Sequence, residues 1–254
     1  MPVKPVAASC RRPAHLSPSS RPVLPLTETK TAPFDLVPDP TAPEVPTVKV
    51  DLVKQTPTYR ATRGRFDVVT VPPLRYLMVD GHGDPNTSDA YRDALSSIYP
   101  LAYTLKFLSK RELDRDYGIP PLEGLWWSDD MAAFTARRDK SRWDWTLLSL
   151  VPDWITAEHV ETARAAVARK GSAPLIEAIR VDALDEGLAV QTLHVGPYDA
   201  EAPVLDAMHH EFLPAHGLRM TGTHHEIYLS DARRTAPERL RTILRQPVTP
   251  VATP

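Results

Sequence analysis

Cysteine is almost absent from this sequence. The single cysteine, Cys10, lies in a proline-rich first segment, so an intramolecular disulfide framework and a zinc cluster held by thiolates are both excluded. The fold must therefore be held together by burial, and apolar residues make up 42% of the chain. Stability without disulfides is compatible with a reducing compartment, and we expect a cytoplasmic location.

Long apolar runs and a strong net charge are missing as well. No run approaches the roughly 20 apolar residues that cross a bilayer, and no apolar segment of a signal peptide follows Arg11 and Arg12. The formal net charge is −2, so no overall positive field favours nucleic acid. The basic segment 232–245 is short and lies next to acidic residues, which indicates a solvated face. We expect neither a membrane nor a nucleic acid as a partner.

Motifs for bound phosphate, for a serine nucleophile and for a metal are also lacking. The glycine-rich turn "DGHGDP" has no lysine and lacks the helix register of a phosphate-binding loop, and no nucleophile elbow is present. Neighbouring histidines of a strand, such as His224 and His225, point to opposite faces. His209 and His210, on a predicted helix, are about 100° apart. We therefore expect no metal and no cofactor.

What is present divides the chain into two parts. Residues 1–46 are rich in Pro, Ser, Thr and Ala, and proline prevents both strand ladders and helix interiors. This composition predicts a disordered leader. Residues 47–250 carry the patterns of regular structure, with a first ordered residue near Val48 or Leu52.

The second part predicts the order strand–helix–strand–strand twice, over about 75–152 and about 188–248. The local wording repeats as well, because "LWWSDD" and "IYLSDA" each end a predicted strand in Ser-Asp after a helix. The predicted fold class is therefore α+β, with two pseudo-symmetric βαββ units that form an antiparallel sheet with helices and leave a central ligand cleft. Pro100 is expected to kink or interrupt the first helix, 88–110. The predicted strands are 66–72, 75–85, 122–130, 141–155, 187–199, 223–231 and 240–248, with 175–184 extended or mixed; the further helices are 156–171 and 201–217.

One of the last strands, "THHEIYLSD", carries the residues of chemical interest. Alternation puts His224, Glu226 and Tyr228 on one face and Ile227 on the other. Alignment of the two units on Ser-Asp pairs Glu226 with Gly124 and Tyr228 with Trp126, which predicts a carboxylate opposite open space in an aromatic cleft. The alternative is an exposed edge strand with a polar, solvated face.

The tryptophans next to this position support the cleft. Trp126 and Trp127 are adjacent, so they point to opposite faces, and one of them is expected to line the cleft. The sequence leaves open which one does so. Trp143 and Trp145 share a face in a way that fits core packing.

Three segments make the sequence resemble the GyrI-like small-molecule-binding family, over roughly residues 48–250: "LKFLSKRELDRDYGIPPLEGLWW", "HVGPYDAEAPVL" and "HHEIYLSDARRTAPERLRTILRQPV". The nearest subgroup consists of stand-alone proteins that hydrolyse cyclopropanoid genotoxins. The resemblance implies two βαββ units with a pseudo-twofold cleft, and a glutamate at its centre that Glu226 matches. In the hydrolase subgroup, the pattern also covers Tyr103 and the segment 123–127.

The function implied by this resemblance is detoxification of DNA-alkylating compounds by addition of water to a cyclopropane ring. We expect Glu226 and Tyr103 to be catalytic. We expect the hydrophobic aromatic substrate to be bound by Trp126, Trp127, Glu123, Tyr228 and His224. Two alternatives are binding of flat cationic or aromatic molecules without turnover, and an interaction protein that inhibits a topoisomerase. The oligomeric state is left open.

Overall fold

The computed structural model describes residues 49–129 and 139–251, so the predicted leader 1–46 lies outside the described residues. The described part contains a curled antiparallel sheet with helices packed on it, and the predicted α+β class is confirmed. None of the helices in these ranges is long and apolar enough to cross a membrane. The described residues form nine strands: β1 (Asp67–Val71), β2 (Leu74–His82), β3 (Leu122–Trp127), β4 (Asp144–Leu150), β5 (Arg180–Leu184), β6 (Gly187–Val195), β7 (Leu218–Met220), β8 (His224–Tyr228) and β9 (Arg241–Pro250).

The strand order of the sheet shows the internal repeat directly. The order is β1-β6-β9-β8-β3-β4-β2-β5, with β7 paired to β9 beside this path. Each strand of the first unit has a counterpart in the second: β2 corresponds to β6, β3 to β8 and β4 to β9, and the outer strand β1 corresponds to β5. When these counterparts are exchanged, the strand order reads the same from both ends. The outer strands are swapped, because β1 pairs with β6 and β5 pairs with β2. An approximate twofold axis therefore passes between β3 and β8.

Helix α2 (Asp89–Glu112) follows β2 and packs on the sheet. Its buried stripe recurs every three or four residues, and Asp89 suits the positive helix N-terminus. Pro100 lies inside α2 without ending it. Proline removes one helical hydrogen bond, and burial of the stripe around it is sufficient to keep the helix together. The stripe consists of Ala94, Ile98, Leu101, Leu105 and Leu108.

The remaining helices are shorter. Helix α3 (Ala157–Ala168) begins at the predicted cap Thr156, which forms a capping box with His159. The predicted helix 201–217 is present as α4 (Ala202–Asp206), a π-helical turn (Ala207–Phe212) and α5 (Leu213–Ala215). Helix α1 (Leu52–Gln55) lies in the N-terminal segment.

The sheet has apolar clusters on its two faces. The larger one lies between the sheet and helices α2 and α3, and it includes Trp126 and Trp145. A second cluster on the other face includes Tyr59, Leu125 and Ile227. Strand β8 lies between β3 and β9, in the middle of the sheet. The alternative of an exposed edge strand is therefore wrong for this segment.

Candidate functional site

The site is built on the central strand pair, where the two repeated units meet. In the register of β3 and β8, Gly124 lies opposite Glu226 and Trp126 lies opposite His224. Because side chains alternate along a strand, one face carries Gly124 and Trp126 of β3 with His224, Glu226 and Tyr228 of β8. We call it the cleft face. The opposite side, which carries Glu123 and His225, is called the back face below.

A short chain of hydrogen bonds holds the glutamate on the cleft face. The indole N–H of Trp126 donates to the hydroxyl of Tyr228 at 2.9 Å, and that hydroxyl donates to Oε2 of Glu226 at 2.8 Å. His224 is buried beside the other oxygen, with Nε2 at 3.4 Å from Oε1. The carboxylate is thereby fixed in position, and 13% of the Glu226 side chain remains exposed.

Gly124 makes this arrangement sterically feasible. A Cβ atom at this position would lie 2.7 Å from Nε1 of Trp126 and 3.1 Å from the hydroxyl oxygen of Tyr228. The alignment of the two units predicted open space at Gly124, opposite Glu226. This space is occupied by Nε1 of Trp126 and the hydroxyl oxygen of Tyr228, which meet above the glycine.

The cleft over this strand pair has a volume of about 1450 Å³. Aromatic rings form much of its inner wall. Tyr91 from α2 stacks on Trp126 with ring centroids 6.3 Å apart, Trp143 meets Trp126 edge-on at 5.9 Å, and Tyr198 meets Tyr228 edge-on at 5.6 Å. Such walls bind flat, apolar ring systems by stacking and by burial.

The tyrosines near the glutamate are held in their protonated form. Burial, and after it the charge of Glu226, raises the pKa of both Tyr228 and Tyr91 well above the usual range. Burial, followed by Glu201 and Glu226, raises the pKa of Tyr198 to about 12. Near neutral pH these hydroxyls are donors, because each would need a far more alkaline solution to ionise.

The predicted site residues are distributed over both faces of the sheet and the mouth of the cleft. Glu226, Tyr228 and Trp126 line the cleft together, and His224 is buried next to Glu226. Tyr103 lines the mouth and is 50% exposed. Tyr103 therefore lies outside the buried wall formed by the inner rings, and we leave it out of the proposed catalytic residues.

Glu123 and Trp127 lie on the back face, away from the cleft. Trp127 packs against the apolar cluster on that side. Glu123 is fully buried, accepts a hydrogen bond from the hydroxyl of Tyr59 and lies 2.9 Å from Nε2 of His225. We therefore leave Glu123 and Trp127 out of the proposed ligand site. The physical reason is alternation, which puts Glu123 and Trp127 on the face of β3 opposite to that of Gly124 and Trp126.

Glu123 belongs instead to a buried ionic network on the back face. The other ring nitrogen of His225, Nδ1, lies 3.0 Å from Oε1 of Glu186, and Arg245 donates to Oε2 of Glu186 at 2.6 Å. Arg245 also donates to the carbonyl of Thr58 at 2.7 Å and to Oε1 of Gln191 at 3.0 Å. Thr58 and Tyr59 are adjacent, so Arg245 at one end of the network and Glu123 at the other both contact the same turn of the N-terminal segment.

Several cleft residues are missed by reasoning from the sequence. Tyr91 and Tyr198 follow the first strand of each unit, and Trp143 precedes β4; strand alternation predicts none of these placements. His209 lines the cleft from the π-helical turn, and its Nε2 is buried without a hydrogen-bond partner among the described residues. Tyr91 lies four residues before Leu95 on α2, and this spacing could have placed the two side chains on the same face of the helix.

The described residues offer no metal centre. Within the ranges 49–129 and 139–251, no group of three histidine, cysteine or acidic side chains is arranged to hold an ion.

A curled antiparallel sheet with an aromatic, acidic cleft on its twofold axis defines a small-molecule-binding protein. The model of the GyrI-like small molecule binding domain matches residues 65–249, and the chain belongs to this family. The resemblance seen in the sequence is thereby confirmed at the level of the family.

Solved structures from Listeria innocua are similar to the chain over most of its length. An uncharacterized conserved protein is 38% identical, with a TM-score of 0.71, over 79% of this chain and 100% of the other. A protein described as a hydrolase is 37% identical, with a TM-score of 0.69 and the same coverage. A second one described as a hydrolase is 36% identical, with a TM-score of 0.71, over 80% of this chain and 100% of the other. A search of curated proteins finds no match.

Proposed function

We propose that the protein hydrolyses cyclopropanoid DNA-alkylating compounds in the central cleft. The observation that carries this proposal is the carboxylate of Glu226, fixed by Tyr228 and facing a cleft lined with aromatic rings. Two similar proteins from Listeria innocua are described as hydrolases, which favours turnover over binding alone. The particular reaction comes from the resemblance of the sequence to the hydrolase subgroup.

The reaction needs a base, a flat binding surface and a hydrogen-bond donor for the oxygen that becomes negative. The substrate carries a cyclopropane fused to a cyclohexadienone. A water oxygen attacks the ring methylene, the strained carbon–carbon bond breaks, and its electron pair moves into the ring to give a phenolate. The water proton goes to the base. A hydrogen-bond donor stabilises the phenolate oxygen, which takes its proton from solvent, and the base returns its own proton to solvent. Substrate plus one water gives the ring-opened alcohol, with no oxidant or reductant.

In this proposal, Glu226 is the base because its carboxylate is the acceptor at the centre of the cleft. Tyr228 positions it, since its hydroxyl proton is already donated to Glu226. The donor to the dienone oxygen is then Tyr91 or Tyr198, whose hydroxyls stay protonated near Glu226. Trp126 supplies the surface on which the flat ring system stacks. His224 lies beside the second oxygen of the base, with Nε2 at 3.4 Å from Oε1.

The variant Glu226→Gln tests the base. It keeps the shape and the hydrogen bond from Tyr228 but cannot accept the water proton. We expect mass spectrometry to show the gain of one water in a cyclopropanoid substrate with the wild type, and kcat to fall by a factor of about 10² to 10⁴ in the variant. The substrate Kd should change by less than about threefold.

The matched control is Glu238→Gln, which removes an exposed carboxylate outside the cleft and should leave both constants unchanged. Turnover by Glu226→Gln at the wild-type rate would refute the role of the base. Saturable binding with unchanged ligand mass in the wild type would instead support the second candidate function, sequestration of flat aromatic molecules. That candidate is favoured by the family itself, which is one of binding domains.

A further inference from the structure

One polar atom in the wall of the cleft has no bonding partner within the protein. The side chain of His209 lines the cleft, and its Nε2 is buried without a hydrogen-bond partner among the described residues. A buried polar group of this kind lowers the stability of the folded state, so such groups are rare in native structures. The arrangement is accounted for when the partner of Nε2 is a molecule that enters the cleft.

The backbone around His209 also favours a role in binding. Residues Ala207–Phe212 form a π-helical turn between α4 and α5, and π-helical turns are rare and occur frequently at functional sites. Within this turn, the rings of His209 and His210 are nearly perpendicular, with centroids 6.4 Å apart. His210 is 68% exposed and lies 3.7 Å from Asp206, whereas Nε2 of His209 is shielded from solvent. The turn therefore directs its two histidines to different surroundings.

His209 lies near the surface on which a flat ring system stacks. Its ring is close enough to His224 for the charges of the two rings to interact. His224 is directly opposite Trp126 in the register of β8 and β3, and both side chains are on the cleft face. The Cβ atoms of residues paired in this way are about 5 Å apart. A flat molecule stacked on the Trp126 indole therefore has one edge on the histidine side of the cleft.

The ring of His209 is neutral near neutral pH. Burial, followed by the charges of His224 and His210, lowers its pKa to about 4. A neutral imidazole has one N–H donor and one bare nitrogen. The cleft already contains an acceptor, the carboxylate of Glu226, which repels a ligand oxygen. An oxygen on the edge of the ligand is therefore stabilised by a donor on the histidine side.

We propose that His209 is a ligand-binding residue whose Nε2–H donates a hydrogen bond to a carbonyl oxygen at the edge of the flat ligand. The donors for the reacting oxygen, Tyr91 and Tyr198, are other side chains, so this carbonyl is a substituent of the ring system. The ligand is thus an aromatic molecule that carries a carbonyl substituent. This inference rests on the part of the proposed function in which the cleft binds a flat ring system.

Two unreactive probes of nearly the same shape test the hydrogen bond. 2-Acetylnaphthalene carries a carbonyl oxygen, and 2-isopropenylnaphthalene carries a CH₂ group in its place. The ratio of their dissociation constants, compared between two proteins, cancels the difference in hydration between the probes. We expect His209→Leu to weaken binding of the ketone about five- to tenfold relative to the alkene, as measured by titration calorimetry.

Two further variants serve as controls for the side chain. His209→Gln should restore most of the preference for the ketone, because its amide offers an N–H near the position of Nε2. His210→Leu changes the neighbouring, exposed histidine of the same turn. It should leave the ratio of the two dissociation constants within twofold of the wild type, because an exposed donor exchanges a ligand for water.

Folding stability separates a ligand-binding role from a structural one. Leucine places no polar atom at this position, so the urea midpoint of His209→Leu should equal or exceed that of the wild type. A lower midpoint together with equal losses for both probes would show that His209 only supports the fold, and would overturn the inference. An unchanged ratio in His209→Leu, or the same change in His210→Leu, would overturn it as well.

Binding of the probes separates this inference from the reaction, because neither probe contains a cyclopropane. Failure of the mass-spectrometric assay, with a ratio that depends on His209, would reject the reaction and keep the inference. Hydrolysis that depends on Glu226, with a ratio that does not depend on His209, would keep the reaction and reject the inference. If the wild type bound neither probe, the binding of flat rings would be rejected, and the inference with it.

Discussion

The two faces of the β3–β8 strand pair carry acids in opposite surroundings. On the back face, the carboxylates of Glu123 and Glu186 are matched by His225 and Arg245, and all four are buried. On the cleft face, Glu226 is held by the hydroxyl of Tyr228 and faces an open volume. One side of this strand pair therefore belongs to a charge-balanced network, which Glu186 and Arg245 complete from outside the two strands. The other side carries an acid that is available to a ligand.

The comparison separates stability from function. A buried charge is tolerated when its partners remain in place, and removal of one partner is costly. The back face should therefore respond to substitution with a loss of folding stability. The cleft face should respond with a loss of ligand binding or turnover, because its acid is partly exposed and its neighbours are hydroxyls and rings.

The two repeated units differ on the back face in an instructive way. In the first unit, Glu123 of β3 pairs with Leu148 of β4. In the second unit, His225 of β8 pairs with Arg245 of β9, so Arg245 occupies the position that Leu148 has in the first. The next strand carries Met78 in the first unit and Gln191 in the second. One half of this surface is therefore apolar and the other half is ionic, within the same backbone pattern.

Arg245→Met should give the largest effect, because it replaces a buried cation by a side chain of the kind that the first unit carries. Glu186 loses the 2.6 Å contact to Arg245, and we expect the free energy of unfolding to fall by about 3–5 kcal/mol. Urea denaturation measures this loss. At a temperature at which the variant is folded, ligand affinity should remain within twofold of the wild type.

The double variant Glu186→Gln with Arg245→Met controls for the charge. It removes one acid and one cation together, so we expect it to recover part of the lost stability. A single Arg245→Met variant that loses less than about 1 kcal/mol would contradict the assignment of the network to stability.

The pH dependence of stability gives a second, smaller test. Burial alone would lower the pKa of His225, but Glu186 and Glu123 raise it to about 9. A raised pKa means that the stabilisation is complete below about pH 6.5 and is lost as the pH rises through 9. Glu186 behaves in the opposite sense, since His225 and Arg245 outweigh burial and lower its pKa to about 2. Its stabilisation is complete above about pH 4.5 and is lost as the pH falls through 2.

His225→Gln isolates the alkaline part of this profile. We expect the wild-type urea midpoint to decline between about pH 7 and pH 10 more steeply than that of the variant, because the variant has no proton to lose at this position. The comparison within one pH series cancels the contribution of the other titrating groups that the two proteins share. Parallel profiles would show that His225 does not titrate in this range.

The sequence predicts the sheet and its symmetry because both follow from short-range patterns. Alternation identifies the faces of β8, and the Ser-Asp repeat aligns the units. The same alignment pairs Glu226 with Gly124, and the two are indeed neighbours across the axis. Once Glu226 is assigned to the cleft, the alignment and strand alternation also place Glu123 and Trp127 on the back face. The sequence alone could therefore have excluded these two from the candidate ligand-binding residues.

The rest of the site depends on long-range packing that no local pattern encodes. Tyr198 begins a short 3-10 helix after β6, and His209 lies in a π-helical turn. Their distances to Glu226 are set by how these segments pack against the sheet. Strand β7 (Leu218–Met220) is too short for its period to be recognised. The back-face network joins residues from distant parts of the chain, and charged residues in a strand ordinarily predict a solvated face.

The substitution Gly124→Ala gives the smallest expected change in stability and tests the cleft face alone. A methyl group would lie 2.7 Å from Nε1 of Trp126, so it should separate Trp126 and Tyr228 and loosen the hold on Glu226. Overpacking costs about 1–3 kcal/mol, and alanine returns about 0.4–1 kcal/mol by restricting the unfolded chain. The net loss of stability should therefore stay below about 2 kcal/mol. The Kd of a flat aromatic probe, quinoline-2-carboxamide, should rise about five- to tenfold, as measured by titration calorimetry. Gly118→Ala is the control, because its methyl group would make only ordinary contact with Lys49. If Gly124→Ala bound the probe as tightly as Gly118→Ala does, the Trp126–Tyr228–Glu226 chain would have no part in ligand binding.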